Sequence, residues 1–505
     1  MQPNILLICS DQHNARLAGC YGDQWVETPN LDRLARAGVT YEAAYCNAPL
    51  CVPSRMSFLT GRQPFRIGAL TNGAILDSRQ TTIAHALGGA GYHTALAGRM
   101  HFVGPDQYHG YLERPIGDIA PYGVLLPGSK TYHSYRPLTE EHLGNGNIPA
   151  PLRMSGAGET SVLAFDRAVT QTACDRLTAY AGDGGGPFFL TVGFHQPHCP
   201  YLAEPELFEK YRQRLEDVPL PEDEEDGLHA YHRNYIARTE MLSVSRARRK
   251  IARAAYYALV EFVDRNVGRL LDTLEATGLA DNTIVVYMSD HGEMLGAHGR
   301  WHKSCFFEDS LRVPLIIRDP RRTPDAPTRI REPVSLVDLF PTLCAWGGVE
   351  IALPRDGDCL APWAAAGSAP AAPRLIRAEY HDGPGGSTRM VRQGPWKLNY
   401  YGAAAAYELF NLQDDPGEIN NLAEAPAARA VFDALQPHIF SDGWQADTLE
   451  AYNRQLEEMQ FFQTVSYYRR GVENNPRAID IPGYWAPMRT RPNFWLSPKE
   501  EPPQA

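Results

Sequence analysis

An α/β fold, with a large mixed but mostly parallel sheet flanked by helices and a smaller C-terminal subdomain, is predicted by three features of this 505-residue sequence. Residues 5–9 are a continuous apolar run leading through Ser10 to Asp11, as in a parallel strand buried on both faces that delivers an acid at its carboxyl end. Residues 283–288 repeat the pattern and deliver Asp290. Ahead of that second run, residues 251–276 form the strongest helical stretch of the chain, closed before Gly278. Strands alternating with helices in this way imply a layered sheet.

Taken in order, Thr28-Pro29-Asn30 introduces a short amphipathic helix over 31–37, ended by Gly38. A helix over 81–87 and a strand over 92–97 follow. Residues 105–151, rich in Gly, Pro and Tyr and without periodicity, read as an irregular insertion able to wall an active site. A helix over 164–180, a Gly-rich turn at 182–186 and a strand over 188–194 come next. Residues 204–249 are charged and read as surface loop and helix. Beyond a strand at 313–317 lies a helix at 336–346, and the Pro/Ala-rich stretch 361–373 reads as a linker. Residues 374–380, 389–391, 396–401 and 406–411 are strand candidates of a small antiparallel sheet, followed by a helix near 425–435. An aromatic-rich helix at 444–470 precedes a Pro-rich tail. The domain boundaries that result are 1–370, 371–440 and 441–505.

Composition narrows the function classes. The 48 basic and 59 acidic side chains leave a net charge of −11, which argues against a polyanion-binding surface and hence against nucleic acid. The first residues carry no basic leader, and their apolar run is too short for a signal sequence or a membrane span, so the cytoplasm is the expected compartment and no membrane partner is expected. Nine cysteines without C-x-x-C pairs read as reduced, mostly buried small hydrophobes.

The chemistry begins at Cys51. A cysteine before Val52-Pro53-Ser54-Arg55 is by itself a weak signal, but Pro53 and Ser54 suit the opening of a helix, placing Cys51 at an N-terminus that favours an anion, with Arg55 one turn away. Asp11-Gln12 and Asp290-His291 end two strands of one sheet, whose carboxyl edge is where ligands bind. Two acids, an amide and an imidazole there make an oxygen-rich site for a hard divalent cation such as calcium.

The segment Cys51-Val52-Pro53-Ser54-Arg55, continued by Met56-Ser57-Phe58-Leu59-Thr60-Gly61-Arg62, resembles the maturation signature of type I sulfatases. With Asp11, Gln12, Asp290 and His291 it looks like the metal set of the sulfatase branch of the alkaline phosphatase superfamily, closest to choline sulfatases and phosphonate monoester hydrolases. The resemblance implies an alkaline phosphatase-like fold and a Cys51 oxidised to formylglycine by a maturation enzyme. It also implies a metal held by Asp11, Gln12, Cys51, Asp290 and His291, calcium first, with manganese or magnesium as alternatives. Gly98-Arg99-Met100-His101 is similar to a choline sulfatase segment that usually has lysine in place of Arg99, and makes His101 the base that breaks the covalent intermediate. Phe194-His195-Gln196-Pro197-His198 resembles the family's sulfate-binding histidine segment, with His198 the functional residue, and Lys303 resembles the lysine on the ester oxygens. In this frame Arg55, Arg99, Lys303 and His198 offset charge on the sulfuryl oxygens, and His198 or Lys303 protonates the leaving alkoxide.

The implied reaction is hydrolysis of an aryl or small alkyl sulfate ester to alcohol and sulfate. Asn72 is a candidate substrate-binding residue. Arginines at 489 and 491 stand where an acidic tail segment is typical, which shifts the expectation from choline towards an aryl or anionic ester. Two alternatives stand beside it: a phosphonate monoester or phosphodiester hydrolase using the same site, and a non-catalytic anion-binding protein on the same scaffold. A homo-oligomer, a dimer or tetramer, is expected, and the aromatic content of residues 461–495 suggests a tail that either folds back on its own chain or docks on a neighbouring subunit.

Overall fold

The computed structural model describes residues 2–104, 106–119, 149–182, 186–221, 228–322, 327–352, 355–382, 386–446 and 449. The strand over Asn4–Asp11 (β1) is buried along its whole length, as its unbroken apolar run requires. Helix α1 spans Pro29–Arg36, strand β2 Val39–Tyr41, helix α2 Cys51–Thr60, helix α3 Ile83–Gly89, and strand β3 His93–Gly98. Strand β4 covers Glu113–Ile116, helix α4 Ser161–Gly182, strand β5 Phe188–Pro197, helix α5 Pro205–Arg214, and helix α6 Ala230–Thr239. Helix α7 runs from Arg246 to Ala276, followed by β6 over Thr283–Ser289, β7 over Leu315–Arg318 and β8 over Thr328–Ile330.

These eight strands form one sheet in the order β8-β2-β7-β6-β1-β5-β3-β4. Only β7 runs antiparallel to its neighbours, so the sheet is mixed and mostly parallel as predicted. Alternate residues of β1 feed opposite layers. Ile5, Leu7 and Cys9 pack against α2, α3 and the helix Leu339–Trp346 (α8), whereas Leu6 and Ile8 pack against α1, α4 and α7. A helix over Ala361–Ala366 (α9) follows. The C-terminal strands β9 (Leu375–His381), β10 (Ser387–Gln393), β11 (Trp396–Tyr401) and β12 (Ala406–Asn411) form an antiparallel meander. Its own small core includes Leu398, Leu409, Leu435 and Trp444, while Ile376 and Met390 reach into the main core.

Three expectations need correction. The insertion at 105–151 contains β4, a polar edge strand that pairs with β3 despite its Pro115, which an edge tolerates. The 361–373 stretch is not all linker: Pro362 sits in the first turn of α9, Trp363 is buried, and Gly367 ends the helix in the left-handed region. The long helix starts at Arg246, five residues earlier than expected, because Ser245 caps it by accepting from Arg248 N. The predicted helix at 444–470 falls largely outside the described residues, and the tail beyond it wholly so.

Candidate active site

Register brings the two acids together. Ser10 pairs with Ser289 across β1 and β6, so Asp11 and Asp290 leave the sheet side by side at its carboxyl edge. Gly98 pairs with Gly193, which carries Arg99 and His198 to the same edge. Gly193 is required there: a Cβ on it would lie 1.8 Å from the Arg99 carbonyl oxygen. Cys51 opens α2 directly below. The helix has no capping side chain of its own at Leu50; Asn72 supplies one from outside by accepting from Val52 N at 3.0 Å.

Asp11, Cys51, Asp290 and His291 are buried and each offers a ligand atom within 4.8 Å of the others. Cys51 Sγ lies 3.2 Å from His291 Nε2 and 3.9 Å from Asp11 Oδ1. Two carboxylates and an imidazole converging on residue 51 are a donor set that fits a hard divalent cation. Arg55 braces the pair, donating from Nε to Asp290 at 2.8 Å, from Nη2 to Asp11 at 3.0 Å, and from Nη1 to the Arg99 carbonyl at 3.1 Å. Its fully buried guanidinium thus ties the two acids together, and three of its five N–H donors are spent on these bonds.

Arg99 donates from Nε to Asp11 Oδ2 at 2.5 Å and from Nη2 to His101 Nδ1 at 3.0 Å. A guanidinium only donates, so neutral His101 carries its proton on Nε2. Burial opposes charge on Asp11, yet the Arg99 and Arg55 guanidiniums hold its carboxyl well below the usual range. Burial, joined by Arg99, keeps His101 neutral; burial and Lys303 do the same for His198. The Cys51 thiol is pushed up to about 11 by burial and by Asp11, so it is protonated.

Lys303 Nζ meets three acceptors: Gln12 Oε1 at 2.6 Å, His198 Nε2 at 2.8 Å and Cys51 Sγ at 3.5 Å. Burial disfavours its ammonium, the Asp11 carboxylate favours it, and its pKa is raised. His198 Nδ1 lies 2.8 Å from the Cys199 carbonyl, which fixes that nitrogen as the donor. Gln12 is gripped at its other end by Glu293 at 2.5 Å and Tyr201 at 3.2 Å. A metal role for Gln12 therefore requires its oxygen to be shared with Lys303.

Residues absent from the sequence reading support this shell. Glu293 sets Gln12 and accepts from His302 N at 2.6 Å. Asp118 accepts from Met100 N and His101 N at 3.1 and 2.7 Å, and Asp166 accepts from His195 N and Gln196 N, both at 2.9 Å. Only Glu293, three residues from Asp290, lay close enough in sequence to be suspected.

The comparisons agree with this architecture. Residues 3–349 match the family described as Sulfatase, and residues 296–442 match the N-sulphoglucosamine sulphohydrolase C-terminal family. The choline-sulfatase of Rhizobium meliloti is 34% identical over 92% of this chain and 91% of its own. The arylsulfatase of Clostridium perfringens is 28% identical over 86% and 93%. The solved phosphonate monoester hydrolase of Silicibacter pomeroyi superposes with a TM-score of 0.70 at 25% identity, over 87% of this chain and 95% of the other. With the family match spanning well over half of it, the chain belongs to the sulfatase family of the alkaline phosphatase superfamily and is a sulfuric ester hydrolase.

Proposed function

We propose that this sulfatase hydrolyses an aryl or small alkyl sulfate ester, using calcium and a formylglycine made from Cys51 by a maturation enzyme, as a cytoplasmic homo-oligomer. The observation that carries the reading is the position of Cys51 Sγ, between His291 and Asp11 on one side and Lys303 on the other. Asp11, Asp290, His291 and residue 51 would hold the cation, with Gln12 adjoining. The bound cation would neutralise charge on a sulfuryl oxygen and favour ionisation of a hydroxyl at residue 51.

The chain's own residues divide the remaining work. The site brings together three basic side chains, Arg55, Arg99 and Lys303, against the two carboxyl groups of Asp11 and Asp290, which favours an anionic ester. Lys303 holds a proton where a leaving oxygen can receive it, and His198 Nε2 can resupply or accept that proton. His101 carries its proton on Nε2 while Arg99 occupies Nδ1; it acts as a base once that bond is released. Asn72 orients the start of α2 and lies beside the nucleophile position, where it can also meet substrate. Among the described residues no helix is long and apolar enough to cross a membrane, which is compatible with the cytoplasmic reading.

A phosphonate monoester or phosphodiester activity is the second reading, favoured by the likeness to the Silicibacter pomeroyi hydrolase. The choline-sulfatase relative adds choline sulfate to the substrates worth testing. Turnover of aryl sulfate, choline sulfate, phosphodiester and phosphonate on one preparation separates these readings. A higher kcat/KM for phosphodiesters would overturn the sulfate assignment. On the same preparation, the peptide containing residue 51 should be about 18 Da lighter than its cysteine form, and an intact thiol in active protein contradicts the nucleophile.

A further inference from the structure

We propose that Arg300 is a positioning residue for Lys303, held in place from the C-terminal sheet through His232 and Glu408; the inference rests on Lys303 facing the ester, as read above. The turn that carries Lys303 has an uncommon backbone. Leu295, His298, His302 and Ser304 have φ of 48°, 53°, 65° and 73°. Lys303 is therefore flanked on both sides by non-glycine residues in the left-handed region. Such residues are sterically disfavoured, cluster at functional sites, and persist where the surroundings over-determine them.

Each flank has its own fastening. On the His302 side, Glu293 Oε1 accepts from His302 N at 2.6 Å, and the His302 carbonyl accepts from Met294 N at 2.7 Å. On the Ser304 side, Ser304 N donates to the Pro49 carbonyl at 3.2 Å, and Arg300 Nη2 donates to the Ser304 carbonyl at 2.9 Å. Arg300 is fully buried, with its guanidinium 3.7 Å from the centroid of the Tyr235 ring.

The other arm of the guanidinium leads away from the site. Arg300 Nη1 lies 3.2 Å from His232 Nδ1. Because Arg300 only donates, His232 presents a lone pair at Nδ1 and carries its proton on Nε2, which lies 3.2 Å from Glu408 Oε2. Tyr401 donates its hydroxyl proton to the same carboxylate oxygen. Tyr401 and Glu408 belong to β11 and β12, and His232 to α6. Each link from Glu408 through His232 and Arg300 to the carbonyl beside Lys303 sets a donor against an acceptor of fixed direction. A buried run of hydrogen bonds linked in this way is rigid, and losing one partner loosens the rest.

The test measures kcat and KM for an aryl sulfate and a small alkyl sulfate on metal- and formylglycine-loaded protein. Arg300→Gln and Glu408→Gln are compared with and without Ser304→Gly, and Lys303→Ala is included. Arg300→Gln should lower kcat on the alkyl ester by at least about tenfold, and less on the aryl ester, with KM changed less than about threefold, because misplaced proton donation matters most for a poor leaving group. Glu408→Gln should act in the same direction with a smaller effect. Ser304→Gly in either background should recover at least about threefold of kcat, since glycine adopts the left-handed turn without external support; lost packing alone would not be rescued this way. Wild-type kcat in both Arg300→Gln and Glu408→Gln, or no recovery with Ser304→Gly, overturns the proposal. If Arg300→Gln is insoluble, the Glu408→Gln pair decides by the same criteria. Full activity of Lys303→Ala would instead refute the role read for Lys303, whereas an inactive Lys303→Ala beside unaffected Arg300→Gln and Glu408→Gln refutes only the positioning chain.

Discussion

The ammonium of Lys303 donates to Nε2 of His198 across 2.8 Å, so in the resting site the lysine holds the proton and the imidazole offers the lone pair. His198 can take that proton on Nε2 while its Nδ1–H stays bonded to the Cys199 carbonyl, so the proton can pass between the two side chains. Removing either partner should therefore slow the same step. Lys303→Ala and His198→Ala are each expected to reduce kcat by about 10²–10⁴-fold on an alkyl sulfate, and the double variant by little more than the worse single one. Additive losses in steady-state assays would show that the two act separately.

Arg99 is the place where this chain departs from the lysine usual in choline sulfatases, and its planar fork is used as one. Nε binds Asp11 while Nη2 binds His101, two directions a single ammonium cannot serve with the same geometry. Arg99→Lys is thus expected to cost about 10-fold or more in kcat/KM for the best sulfate substrate. Activity equal to the wild type would mean that the fork is incidental.

What the sequence revealed and what it concealed follow from the physics of each element. Strands β1 and β6 are buried on both faces, so they appear as apolar runs, and the acids at their ends stand out for that reason. Cys51 stood out through the resemblance of residues 51–62 to the sulfatase maturation signature, with Pro53 and Ser54 marking a helix start beside it. Strand β4, with the sequence Glu-Arg-Pro-Ile, has no such signature, since an edge strand need not be apolar. The turn around Lys303 was hidden because its left-handed residues are His, Ser and Leu rather than glycine throughout. Glu408, His232 and Arg300 meet across separations of 176 and 68 residues, and local pattern carries no trace of such meetings.

Asp264 offers a stability test far from the reaction. Its carboxylate caps α1, accepting from Asn30 N at 3.1 Å, Leu31 N at 2.8 Å and Asn30 Nδ2 at 2.8 Å, yet burial pushes its pKa up to about 6. A carboxyl whose pKa is raised on folding binds its proton more tightly in the native state. Its contribution is therefore greatest below the unfolded pKa near 4 and is lost as pH rises towards 6. Asp264→Asn removes that titration, so the variant should gain on the wild type by about 1–3 kcal/mol between pH 4 and 7. Urea unfolding at several pH values reads the difference; a gap that does not change with pH refutes the raised pKa.

Calcium binding can be read without turnover. Asp11 and Asp290 are buried with Arg55 shared between them, and Asp11 Oδ1 is turned towards His291 Nε2 at 3.7 Å. A cation that binds the folded protein and not the unfolded chain must raise its stability, by about 2.7 kcal/mol at a hundred times Kd. After chelation, added calcium should raise Tm in a concentration-dependent way, and Asp11→Asn should abolish most of that rise. Magnesium demands a tighter octahedral shell and sheds water reluctantly, so it should stabilise less at equal concentration. Equal shifts with both ions would remove the case for calcium, and no shift with any divalent ion would remove the case for a cation held by Asp11, residue 51, Asp290 and His291.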